Sequence, residues 1–268
     1  MDAMQADLAR DLAMALDPVE LVRRAGIEPD AWQAGVLRST ASRQLLNCCR
    51  QAGKSTITAG LALHTALYAP ESLILLLSPG ERQSKELLRK VIAQYEALDR
   101  PVAADAENTL TLELENGSRI VALPGNEATI RGYSGVALLI VDEASRVPDT
   151  LYASVRPMLA VSGGRLLALS TPFGKRGWWF TAWEEGEHWQ RTKITAHQCP
   201  RITPAFLEEE RRALPASWFK AEYLCEFGEL EGAVFGYDDI QAALSGEVLP
   251  LWSTPATIEE EDYAPSLW

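Results

Sequence analysis

Residues 48–56 read Cys-Cys-Arg-Gln-Ala-Gly-Lys-Ser-Thr, and residues 137–144 read Ala-Leu-Leu-Ile-Val-Asp-Glu-Ala. A Gly-Lys-Ser run between an apolar stretch and a helix-compatible stretch is suited to cradling a triphosphate. Gly53 permits a tight turn, and the backbone amides from Cys49 to Ala52 can point inward, through Arg50 and Gln51. A helix beginning near Lys54 then directs its positive end at the phosphates. Lys54 would reach the β and γ phosphates, Ser55 would offer a hydroxyl to Mg²⁺, and Thr56 completes the run. The usual pattern opens on Gly, whereas Cys48 stands there. The second segment is an apolar strand that ends in two carboxylates. Asp142 would hold Mg²⁺ through water, and Glu143 would polarise an attacking water as general base. Each feature alone also has a plain structural reading, a chance Gly-Lys-Ser at a helix start and an acidic cap. The two in order, about ninety residues apart, point instead to ATP and magnesium as ligands and to hydrolysis as the reaction.

These residues need strands that stop at one edge of a sheet and helices that start there. Apolar runs predict strands over 45–48, 72–78, 136–141, 165–170 and 190–195. Helical periodicity is expected over 2–16, 19–25, 54–68, 80–98, 150–159, 177–185, 204–213 and 216–226. Asp17-Pro18 is a helix-start signal, and Gly26 a stop. Alternating residues 109–114 and 119–123 around Asn116-Gly117 predict a hairpin. Strands alternating with helices give an α/β fold with a mainly parallel sheet covered on both faces. Ligands of such sheets sit at the carboxyl ends of the strands.

The chain has 268 residues and is 47% hydrophobic, enough for one large α/β domain with a packed core. No apolar run approaches bilayer length, and the N-terminus has no signal-peptide pattern. Four cysteines (Cys48, Cys49, Cys199, Cys225) form no disulfide framework and suggest reduced thiols in a cytosolic compartment. The net charge of −12 is unevenly spread. Residues 226–268 hold ten acidic side chains and no Lys or Arg, so residues 1–225 are close to neutral and can carry a basic face. We expect a domain over 1–230 and an acidic linker or tail over 231–268, where periodicity fades.

Taken together, the motifs resemble the ATPase domain of tailed-phage terminase large subunits, the DNA-packaging motors. Ala31-Trp32-Gln33 is similar to the family's adenine-reading segment. Cys49 to Ser55 is similar to its variant phosphate loop, with Arg-Gln and no first Gly. Asp142-Glu143 ends the acidic strand, and Ser170-Thr171-Pro172 matches the coupling segment, extended by Phe173 to Trp179. The resemblance spans about residues 25–240. It implies a P-loop fold of the ASCE/RecA-like kind, with Gln33 as base contact and Ser170 and Thr171 as sensors of the γ-phosphate. Arg50 in the loop, and Arg131 just before the acidic strand, would be the cations that neutralise transition-state charge, Arg131 reaching a neighbour's site. Implied partners are double-stranded DNA, the portal of the procapsid, a small terminase subunit and further copies in a ring. The family usually continues into a nuclease domain; the tail acids Glu259 to Asp262 form a single run, so no nuclease activity is expected in this chain.

Other readings stay open at this level. The same site could serve a helicase-like nucleic-acid-dependent ATPase, or an inactive prophage relic acting as a binding module. Ser78 to Gln83 could touch nucleic acid or cap a helix. Lys175 and Arg176 beside Trp178 and Trp179 could form a phosphate-and-stacking patch, or the tryptophans could be core. His197 and Cys199 are spaced as two metal ligands, with no further ligands apparent.

Overall fold

A computed structural model describes residues 3–125, 130, 132–229 and 242–244. The chain divides into a unit over Met1–Leu230 and a second over Glu231–Trp268. In the first, helices α1 (Ala3–Leu16), α2 (Pro18–Arg24) and α3 (Ala31–Arg38) precede β1 (Arg43–Cys48) and α4 (Lys54–Tyr68). Then come β2 (Leu73–Ser78), α5 (Glu81–Ala97), β3 (Ala104–Glu107), β4 (Thr111–Leu114), β5 (Arg119–Pro124) and β6 (Val136–Asp142). The C-terminal part adds α6 (Asp149–Val155), β7 (Arg165–Ser170), α7 (Gly177–Glu184), β8 (Gln190–Ile194), α8 (Pro204–Ala213) and α9 (Ala216–Leu224).

Among the described residues all eight strands form one sheet in the order β3-β4-β5-β2-β6-β7-β1-β8. From β5 to β8 every neighbouring pair is parallel, and only β3–β4 and β4–β5 are antiparallel. The strands read as unbroken apolar runs because both faces are buried. Leu46, Ile74, Leu76, Ile140 and Leu167 enter one core cluster with α2 to α5, α8 and α9. Their chain neighbours Leu45, Leu75, Leu77, Leu139 and Leu166 enter a second cluster with α6 and α7. Successive side chains of a strand point to opposite faces, so a helix layer on each side demands an apolar residue at every position. Each such burial is worth about 1.5–3 kcal/mol.

The structure departs from the sequence expectation in detail. Strand β1 begins at Arg43 rather than at residue 45, since Arg43 already pairs with Leu166. The hairpin is present as β4 and β5, joined through Gly117 at φ +82°. Strand β3, an Ala-Asp-Ala-Glu segment, carries no apolar signal; pairing with β4 alone makes it a strand. Among the described residues no helix is long and apolar enough to cross a membrane.

Candidate active site

The phosphate loop spans the gap between β1 and α4. Cys48 remains in the strand, paired in register with Ile194 and buried in the core. Its backbone therefore needs no glycine, which explains why the usual first Gly is dispensable. Cys49 N–H donates to Ile194 O at 2.9 Å and Arg50 N–H to Glu222 O at 3.0 Å, so the loop is tied to β8 and α9, and these two amides do not point inward as the sequence suggested. Gln51 (φ +61°) and Gly53 (φ +81°) turn the chain through the left-handed region. A Cβ on Gly53 would come within 2.8 Å of Gln33 Nε2, so both conformation and space favour glycine there. Lys54 is the first residue of α4 and is only 8% exposed. Thr56 O accepts from Gln94 Nε2 at 2.9 Å, anchoring α4 to α5. Burial pushes the Cys48 and Cys49 thiols up, so both stay protonated and act as packing groups.

Sheet order brings the remaining groups together. Strand β7 lies between β6 and β1, with Asp142 level with Leu169 and Asn47 level with Ser170. Ser170 and Thr171, both buried, thus emerge between the phosphate loop and the acidic pair. Ser55 Oγ donates to Asp142 Oδ2 at 3.1 Å, joining the two motifs directly. Ser145 Oγ and Ser170 Oγ share a hydrogen bond of 2.7 Å, linking the turn after the acids to the end of β7. Glu143 is half-buried and adopts φ +50°, ψ +43°, a left-handed conformation that costs a non-glycine residue on the order of 1–2 kcal/mol. It is held by its own N–H donating to Asp142 Oδ1 at 3.0 Å. Strain of this kind concentrates at functional sites, where it aims a side chain.

Burial, first, and the adjacent Glu143 push the Asp142 carboxyl above its ordinary range; Lys54, the Glu143 amide and the Ser55 hydroxyl pull the other way. A hydroxyl and a buried carboxylate 3.1 Å apart, short of counter-charge, fit the hard oxygen donors that Mg²⁺ takes. The burial also sets a stability cost. The folded Asp142 keeps its proton to higher pH than an unfolded aspartate, so the cost grows as pH rises through that window and vanishes below it. Asp142→Asn is therefore expected to raise the melting midpoint of the ligand-free chain at neutral pH by about 2–4 °C, as about 1 kcal/mol does in a domain of this size. The difference from wild type should close on acidification below the ordinary carboxylate value, read by calorimetry at the two pH values.

Other expected site residues stand differently. Gln33 is 3% exposed and both ends of its amide are engaged. Its Oε1 accepts from Asp30 N–H at 2.8 Å and its Nε2 donates to Ala52 O at 3.0 Å. Here it supports the loop backbone, with one donor and one acceptor of the amide in use. Arg50 is largely exposed, with Nε 3.4 Å from Glu222 Oε2, turned towards α9. Arg131 lies outside the described residues. Arg201 carried no signal in the sequence, yet its Nη2 donates to Ala52 O at 3.0 Å while the guanidinium grips Asp30 at 2.8 and 3.0 Å. It is brought to the loop from 149 positions away by the segment after β8, so no local pattern could have marked it. Gly80 N–H donates to Gln83 Oε1, so the 78–83 segment caps α5. Trp178 and Trp179 are core, and Trp178 stacks on Tyr152 with centroids 3.9 Å apart. Cys199 Sγ lies 3.9 Å from Cys49 Sγ, and among the described residues no group of three or more His, Cys, Asp or Glu is arranged for a metal.

Residues 45–242 match the family model described as terminase large subunit, T4likevirus-type, N-terminal. The chain belongs to this terminase family. The terminase large subunit of Escherichia phage T5 is 27% identical over 238 residues, covering 80% of this chain and 51% of that protein. That of Thermus virus P23-45 is 28% identical over 174 residues, covering 58% of this chain and 36% of that protein. The chain thus spans between about a third and a half of the length of these curated relatives. The Thermus phage P74-26 large terminase ATPase domain superposes with a TM-score of 0.69 at 21% identity, covering 77% of this chain and 96% of that one. The large terminase of a thermophilic bacteriophage, solved in complex with ADP, gives 0.59 at 12% identity over 77% of this chain and 52% of its own. At these identities the structural likeness establishes the fold, a RecA-like ASCE sheet covered by helices, for this terminase chain.

Proposed function

We propose that this chain is the ATP-hydrolysing motor domain of a phage terminase large subunit, which powers packaging of double-stranded DNA into a procapsid. The observation that carries the reading is the Ser55–Asp142 contact of 3.1 Å, with Ser170 emerging between the two motifs. In this reading the loop amides from Gln51 to Gly53 and the start of α4 hold the triphosphate, and Lys54 bridges its β and γ phosphates. Ser55 and Asp142 would hold Mg²⁺, which when bound supplies charge neutralisation on the phosphate oxygens. Glu143 takes a proton from the water that attacks the γ-phosphorus. Arg50, released from Glu222, neutralises charge on the transferring phosphoryl group in cis. Ser170 and Thr171 sense the γ-phosphate, and the Ser145–Ser170 bond passes the change outward.

By the same reading residues 1–230 are the motor, and 231–268 an acidic linker without nuclease chemistry of its own. The portal of the procapsid, a small terminase subunit and further copies in a ring are its partners, in the host cytoplasm. Arg131 then acts on a neighbour's site. Turnover per chain should rise with protein concentration in wild type, whereas Arg131→Ala should stay at the dilute rate, lower by roughly 10³-fold or more where the wild type is assembled. Phosphate release measured across a concentration series tests this; identical curves for the two proteins exclude a role in trans.

A further inference from the structure

The buried tryptophans leave Phe173 as the exposed aromatic of the coupling segment, 37% accessible. Two guanidiniums stack on it. The Arg146 carbon lies 4.2 Å from the ring centroid and that of Arg176 5.2 Å. The sum of these distances bounds their separation, which keeps both within reach of neighbouring phosphates on one strand. Both arginines are exposed, and among the described residues neither is in an ion pair. Arg10, Arg23, Arg89 and Arg211 elsewhere on the surface each meet a carboxylate, whereas among the described residues Arg24, Arg82, Arg119 and Arg156 share the unpaired state without the shared ring. Lys175, next to Arg176, is paired with Glu229 at 2.9 Å.

The stack is also wired to the hydrolytic site. Arg146 closes the short turn Ala144–Arg146 after Glu143, its N–H donating to Glu143 O at 2.9 Å. Phe173 lies three residues beyond Ser170, and Ser145 and Ser170 are hydrogen-bonded to each other. That bond joins the two segments that carry the stack. The geometry points to the Arg146–Phe173–Arg176 stack as a grip on the phosphate backbone of duplex DNA, coupled through Ser145 and Ser170 to the state of the γ-phosphate. Guanidinium forks match phosphate oxygens bidentately, and a phenyl face fixes their planes while leaving their edges free to donate. The proposal rests on the motor reading above for the identity of its partner.

The test is binding of a short labelled DNA duplex to the whole chain by fluorescence anisotropy, from roughly 50 to 200 mM salt. Replacing both cations, as Arg146→Ala with Arg176→Ala, should weaken binding at low salt by about tenfold or more. It should also reduce the slope of log K against log salt by about two, one for each phosphate no longer neutralised. The Arg146→Lys, Arg176→Lys pair should keep the slope and bind more weakly than wild type, because the charge remains and the fork does not. Unchanged affinity and slope in the double alanine variant, with its melting midpoint unaltered, overturn the proposal, as does a wild-type chain that binds no duplex. Loss of binding to poly-glutamate with duplex binding intact would assign the stack to an acidic protein surface and overturn it equally. Wild-type ATP turnover abolished by Lys54→Ala would sustain the motor reading in any of these cases, so the two can fail separately.

Discussion

Glu143→Gln is expected to lower Mg·ATP turnover by roughly 10²–10⁴-fold while leaving nucleotide binding in place. Glutamine keeps the size of the side chain and its reach but cannot accept the proton of the attacking water. The backbone restraint survives as well, because the bond to Asp142 Oδ1 comes from the residue's own N–H. The left-handed conformation at this position is thus retained, and the change isolates the chemistry from the positioning. Phosphate release gives the rate, and the rise of the melting midpoint with Mg·ATP gives the binding. Turnover within about threefold of wild type, well short of the loss expected for a missing base, would remove Glu143 from that role.

Lys54→Ala is expected to abolish both turnover and the stabilisation that Mg·ATP brings. At a ligand concentration of about 100 times Kd, binding adds about 2.7 kcal/mol, which in a domain of this size is roughly 5–10 °C of melting midpoint. Lys54 is nearly buried at the head of α4, so its charge acts in a poorly solvated place. It is also one of the groups that hold the Asp142 carboxyl down, and its removal leaves that buried charge with less compensation. The variant should therefore melt slightly below wild type without ligand and gain nothing when Mg·ATP is added. A full ligand shift in Lys54→Ala, read by differential scanning fluorimetry, would place the triphosphate elsewhere.

Much of this site was legible in the sequence because its parts are local. Gly53-Lys54-Ser55 lies at one strand-to-helix turn, and Asp142-Glu143 ends one apolar run. The parallel sheet was legible for a related reason: two-sided burial leaves continuous runs such as 73–77 and 136–141. What the sequence hid depends on neighbours distant in the chain. Arg201 meets Ala52 only after β8 has brought the chain back beside β1. Strand β3 exists through its partner β4 alone. Gln33 reads as a base contact from its motif, while its environment shows an amide bonded to Asp30 and Ala52. Cys48 looks like a defect in the loop pattern until its pairing with Ile194 shows that the strand has not yet ended there. The tryptophans after Ser170 draw attention by type, yet Phe173 is the ring left outside, because α7 turns Trp178 and Trp179 into the core beneath α6.

The most direct measurement is the rate of inorganic phosphate release from Mg·ATP by the intact chain, at protein concentrations high enough for self-association. Wild type is predicted to turn over ATP, and both Lys54→Ala and Glu143→Gln to reduce that rate to background. Wild-type turnover that persists unchanged in both variants would contradict the assignment of the phosphate loop and the acidic pair as the active site.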